Sequence, residues 1–146
     1  MVRATKVARL RTDPVDYVTL DYEARYTRRI VMKGQKGLTF LLDLQTVTRL
    51  QDGDDLMLED DRHVRVLAAS ESLLKISAVD GLQLMKIVWH IGNRHMPCAI
   101  RGDCVLIRKD HVVADMIKTL GGQVIQVEEP FEPEGGAYGH ARTRPH

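Results

Sequence analysis

Six histidines, His63, His90, His95, His111, His140 and His146, are the side chains of this 146-residue sequence best suited to chemistry near neutral pH. An imidazole titrates in that range and, when neutral, binds transition metals. The spacing excludes a closed zinc site: there is no HExxH, no CxxC and no pair of histidines four apart on a helix. His95 stands out because it follows Gly92-Asn93-Arg94, a sequence that reads as a helix stop and would present the ring outward on a short turn. His90, in the last turn of that helix, suits the negative end of the macrodipole. His111 directly follows Asp110, a candidate helix cap, and reads as a surface residue. His63 lies in a strand and reads as structural. His140 and His146 lie in a Pro- and Gly-rich tail, and either swing toward a site elsewhere or stay inert. Cys98 and Cys104 read as small apolar residues on facing strands of a hairpin. Hydrolysis at a metal would need a general base. The carboxylates nearest in sequence to His95, Asp80 and Asp103, lie at no diagnostic spacing.

The elements that must position these side chains fall into two groups. Up to about Ser70 the chain reads as short strands cut by turns. Tyr17–Leu20, Leu38–Leu42, Leu56–Leu58 and His63–Leu67 are β-rich, with Gly34, Gly37, Asp52-Gly53 and Asp60-Asp61 between them. In the last run Val64 and Val66 alternate with His63, Arg65 and Leu67, which predicts a strand with one wet face. From Leu73 the period changes. A strand at Leu73–Ile76 leads to Asp80 as N-cap of a helix carrying Leu82, Leu84, Met85, Val88, Trp89 and Ile91, apolar on more than one side and ending at Gly92-Asn93. Strands at Pro97–Ile100 and Cys104–Ile107 flank the Arg101-Gly102-Asp103 turn. A second helix starts after Asp110 and stops at Gly121-Gly122, and Gln123–Val127 is a final strand. The expected fold is α+β. A small all-β domain (1–70) precedes a ferredoxin-like βαββαβ domain (71–130), and residues 131–146 form a flexible tail.

A helix apolar on two sides needs a sheet on one and something else on the other, which points to a subunit interface. If a two-fold axis passes near its end, one histidine becomes two. Two imidazoles suit nickel, copper or zinc, and an under-filled coordination shell suits a carrier that must release its ion. Composition narrows the partners. Basic and acidic side chains number 21 and 20, and neither half is polarised (12 against 11 in 1–70, 9 and 9 in 71–146), so no nucleic-acid partner is expected. No apolar run could span a membrane and no signal core follows Met1, so a cytoplasmic protein is expected. Two cysteines make no disulfide framework.

Gly92-Asn93-Arg94-His95, then Asp110-His111-Val112 with Met116 and Leu120-Gly121, and finally Pro130-Phe131-Glu132-Pro133-Glu134-Gly135-Gly136-Ala137-Tyr138-Gly139-His140, resemble the UreE family of nickel-carrying urease accessory proteins. The resemblance covers the C-terminal half in order; the N-terminal half shares only its short strands and Asp-Gly turns. It implies a non-enzymatic homodimer whose β-rich domain binds protein partners and whose ferredoxin-like domain binds metal and dimerises. The interfacial Ni²⁺ ligand falls on His95, with His140 or His146 completing the site, and Zn²⁺ or Cu²⁺ able to substitute in vitro. His111 matches the second member of a His-x-His pair found in many relatives, but Lys109 stands in the first place. With a short tail as well, that substitution predicts little capacity for nickel storage. The implied partners are a second copy (with a metal-bridged tetramer as a further possibility), the GTPase UreG, and the urease apoprotein with UreD and UreF. The competing reading is a protein-interaction chaperone module for urease maturation that binds metal incidentally.

Overall fold

The computed structural model describes residues 1–135 and divides them into two compact units, Met1–Ala69 and Ser70–Gly135. The first is a six-stranded sheet made from β1 (Arg3–Ala8), β2 (Asp16–Leu20), β3 (Tyr26–Lys33), β4 (Thr39–Arg49), β5 (Asp55–Leu58) and β6 (His63–Ala68), in the order β2-β6-β5-β1-β4-β3. The pairs β1–β4 and β2–β6 are parallel; the others are antiparallel. Inward-facing apolar side chains from every strand, among them Ala4, Val18, Met32, Phe40, Leu42, Leu56 and Val64, make one core.

Two buried carboxylates organise this unit. Asp16 is fully buried and accepts hydrogen bonds from the main-chain N–H groups of Tyr17 (2.7 Å), Lys36 (2.8 Å) and Leu38 (3.1 Å). It therefore ties β2 to the loop joining β3 and β4. Gly34 in that loop lies so close to the Asp16 carboxylate that a Cβ there would overlap it. Asp55, also fully buried, accepts from Leu10 N–H at 2.7 Å and from the Arg65 guanidinium at 3.0 Å. His63 is buried too, with Nε2 3.2 Å from the Thr12 carbonyl and 3.9 Å from Asp55, so its side of β6 is not the wet face that alternation predicts. Two strands have no counterpart in the sequence reading: β1, central in the sheet, and β3, at its edge.

The second unit has the order β-α-β-β-α-β. It comprises β7 (Ser70–Ser77), α1 (Gly81–Asn93), β8 (Ala99–Arg101), β9 (Cys104–Arg108), α2 (His111–Thr119) and β10 (Gln123–Pro130). Its antiparallel sheet has the order β10-β7-β9-β8, the ferredoxin-like arrangement. Each helix begins where a carboxylate caps it. Asp80 accepts from Gln83 N–H at 2.8 Å and Asp110 from Val113 N–H at 3.0 Å. Ile87 and Ile91 of α1 and Val113 and Ile117 of α2 pack on Leu74, Ile76, Val105 and Ile107 of the sheet. Three details differ from expectation. Helix α1 ends at Asn93, as expected, but the left-handed position of its cap falls on His95 rather than on Gly92 or Asn93. Cys98 precedes β8 instead of lying in it, so the two cysteines do not face each other across the hairpin; Cys104 pairs with Arg101. Residues 131–135, assigned to the flexible tail, begin with a fully buried Phe131.

Burial pushes the Asp16 carboxyl upward, but the N–H groups of Lys36, Tyr17 and Leu38 outweigh it and hold the group below its ordinary value of 3.8. A depressed folded-state pKa means stability that is fully present above 3.8 and lost as pH falls through the folded value. Asp16→Asn swaps an acceptor oxygen for an amide donor facing those N–H groups, and should cost about 2 kcal/mol at neutral pH. Below pH ~4 the wild type should lose stability more steeply than this variant. Chemical denaturation of both proteins as a function of pH checks the two expectations.

Candidate metal site

Helix α1 ends in a motif that fixes the conformation of His95. Arg94 is the cap residue, and His95 has φ +58°. The His95 N–H donates to the Gly92 carbonyl at 3.0 Å and the Met96 N–H to the Ile91 carbonyl at 3.4 Å. These are the paired bonds of a Schellman motif, with His95 in its left-handed position. Ile91 is fully buried and Met96 packs against the same core, supplying the hydrophobic contact that accompanies the motif. Helix α2 ends the same way through Leu120, Gly121 (φ +86°) and Gly122, whose N–H groups reach Lys118 and Ile117. Glycine fills the left-handed position there; α1 uses a histidine. A side chain in that region costs about 1 kcal/mol or more, and such strain gathers at functional positions.

His95 is exposed and lines a depression together with Met96, Pro97, Arg108, Lys109 and Asp110. The fold thus brings the end of α1 to the start of α2. His111, the first residue of α2, is exposed and lies one position beyond that lining. His90 is half-buried in the last turn of α1, its ring edge-on to Trp89 at 5.1 Å, and His63 belongs to the other unit's core. His140 and His146 lie outside the described residues. Among the described residues no three His, Cys, Asp or Glu side chains are grouped so as to hold a metal ion. Cys98 is half-buried, and burial, helped by the negative charge of Glu134, pushes its thiol up to about 11. It is therefore a protonated, poor ligand near neutral pH.

Two features of the site have little or no signal in histidine spacing. The first is the outer face of α1, where Leu82, Met85 and Trp89 are each more than half exposed while Ile87 and Ile91 fill the core behind them. The second is the path of residues 131–134. After β10, at one edge of the sheet, the chain crosses to the other edge. There the Glu134 N–H donates to the Cys98 carbonyl at 2.9 Å and its carboxylate accepts from Ile100 N–H at 3.2 Å. Its anchor next to Cys98 lies within ~11 Å of His95, the span of three extended residues. The Phe-Glu-Pro-Glu sequence was a visible signal, but it did not reveal this anchoring.

Relieving the left-handed strain should stabilise the protein. His95→Gly should raise the unfolding free energy of this unit by ~1 kcal/mol, whereas His95→Val should lower it by a similar amount. Gly121→Ala, which also brings a Cβ against the Gln83 side chain, should be destabilising. Urea denaturation of the three variants gives the order.

Comparison with known proteins places this geometry in a family. Residues 2–69 match the family model described as UreE urease accessory protein, N-terminal domain, and residues 71–146 match that of the C-terminal domain. The chain is 46% identical over 144 residues to a urease accessory protein UreE of Rhodopseudomonas palustris (strain HaA2), covering 97% of this chain and 67% of the relative. It is 49% identical over 141 residues to that of Bradyrhizobium sp. (strain ORS 278), covering 94% and 67%. It is 43% identical over 152 residues to that of Chelativorans sp. (strain BNC1), covering 100% and 96%. With both halves matched, the chain belongs to the UreE family of urease accessory proteins, which assist urease maturation and are not themselves enzymes.

Proposed function

We propose that this protein is a nickel metallochaperone that holds Ni²⁺ between the His95 rings of two chains and delivers it to the assembling urease active site. The observation that carries the reading is the placement of a strained, exposed histidine at the end of a helix whose outer face is apolar. Leu82, Met85 and Trp89 form a stripe on α1 that a second copy would cover by the same stripe, around a two-fold axis. With that axis passing near the C-terminal end of α1, His95 would meet its twin. A single chain supplies too few ligands among the described residues; two chains supply a pair of imidazoles and leave positions open for exchange.

Tail histidines would fill part of the shell. From Glu134, anchored beside Cys98, the chain to His140 spans up to ~20 Å when extended, enough to bring that imidazole to His95. His146 and His111 are the remaining candidates, and Lys109, in the same depression as His95, contributes a cation where a ligand could otherwise stand. Membership of a urease accessory family supports nickel as the cargo. Exposed imidazoles by themselves bind Cu²⁺ more tightly, and Zn²⁺ would also be accepted. In this reading the dimer, or a tetramer joined through metal, works in the cytoplasm with the GTPase UreG and with the urease apoprotein, UreD and UreF.

Titration with Ni²⁺ should show half an ion per chain at the tightest step. His95→Ala and His95→Gly should both abolish that step while the protein stays folded and dimeric. Unchanged affinity in either variant, or a full ion per chain at the tightest step, would overturn the assignment. Met85→Glu combined with Trp89→Glu should give monomers by analytical ultracentrifugation and lose the shared site; a stable dimer in that variant would place the interface elsewhere.

A further inference from the structure

The six-stranded sheet is open, and its two edges, β2 and β3, line opposite sides of one groove that includes Val18, Leu20, Tyr26, Ile30 and Val31. The edges are tied at one end, where Gln35 N–H donates to the Tyr17 carbonyl at 2.9 Å. Elsewhere, among the described residues, β3 has a sheet neighbour on one side only. Its register fixes which main-chain groups face away from that neighbour. Gly34 N–H donates to Leu38, and the pairing of β3 with β4 continues as Met32↔Phe40 and Ile30↔Leu42. By alternation, the N–H and C=O groups of Arg29, Val31 and Lys33 point outward.

An edge of this kind is a template for another strand, and proteins ordinarily guard it by shortness, charge or cover. β3 runs for 8 residues with Ile30 and Val31 both more than half exposed. Its charges are also patterned. The Arg28 guanidinium is engaged by the Leu44 carbonyl at 3.1 Å and lies 4.0 Å from Asp43. Arg29 and Lys33 are exposed and share one face of the strand with Val31 between them, while Ile30 and Met32 occupy the other face.

We infer that β3 is a strand-addition site for an extended segment of a partner protein, one that carries an acidic, an apolar and an acidic residue at alternate positions with apolar residues between. Main-chain bonds to Arg29, Val31 and Lys33 supply the pairing, and the two carboxylates opposite Arg29 and Lys33 set register and choice of partner. The apolar residues between would face Ile30 and Met32 in the groove.

The test uses the full chain and the synthetic peptide Thr-Glu-Ile-Val-Ile-Glu-Thr, with a control in which both Glu are replaced by Lys. The acidic peptide should bind about tenfold more tightly than the control and should slow amide exchange at Arg29, Val31 and Lys33. Arg29→Glu combined with Lys33→Glu should invert the preference between the peptides. Val31→Pro, which removes an outward N–H and no bond to β4, should weaken both complexes while circular dichroism stays unchanged. Absence of binding would mean that the charges merely guard the edge. Equal binding of the two peptides, or binding that leaves those amides unprotected, would also overturn the inference. So would protection of the same amides without peptide that grows with protein concentration, since it would give the edge to a second copy.

Discussion

The left-handed turn that closes α1 is the constraint on which the account of the site depends. Two main-chain hydrogen bonds, from His95 to Gly92 and from Met96 to Ile91, reverse the chain at the end of the helix. Ile91 and Met96 lock that reversal into the core beneath the helices. A ring attached at that point has its backbone fixed by packing rather than by loop flexibility, which lowers the conformational cost of meeting a ligand. Glycine does the same job without strain at the end of α2. The two ends differ in that α1 places a strained side chain where α2 places a glycine, and the proposed metal site rests on that difference.

Among the described residues, both units present main-chain or apolar groups on their surfaces, each in the manner of its secondary structure. In the ferredoxin-like unit one face of α1 fills the core and the opposite one exposes Leu82, Met85 and Trp89. In the β unit the six-stranded sheet leaves β2 and β3 at its edges, and outward main-chain groups run along β3. Burying Asp16 and Asp55 is tolerable because each is surrounded by donors, and in return they hold loops to strands that a small core could not hold alone.

Much of the ferredoxin-like unit was legible in the sequence because local signals agreed with one another. Asp80 and Asp110 announce helix starts, Gly121 announces a helix end, and Gly102 sits in the hairpin turn, as the structure has them. The Gly-Asn pair at 92–93 marks the end of α1, but the left-handed position falls two residues later, on His95, where the Met96 N–H bond to Ile91 and the packing of Met96 on the core fix the turn. β1 and β3 were hard to see for a different reason. Charged residues interrupt both, and their apolar pattern becomes meaningful only once the sheet around them is known. Asp16 looks like a surface group in a sequence, and the partners of His63 are equally invisible there, since burial of a polar side chain depends on donors and acceptors brought from distant segments. His95 was visible as a candidate from its turn and its family motif, but its strain and its shared depression with Lys109 are products of the fold.

A crystal structure of the nickel-loaded protein, with anomalous scattering recorded at the nickel edge, decides whether two chains share the ion. One nickel peak should lie on the two-fold axis, bonded at ~2.1 Å to an imidazole nitrogen from each His95. Separate nickel peaks within each chain, with the His95 rings turned away from both, would contradict it.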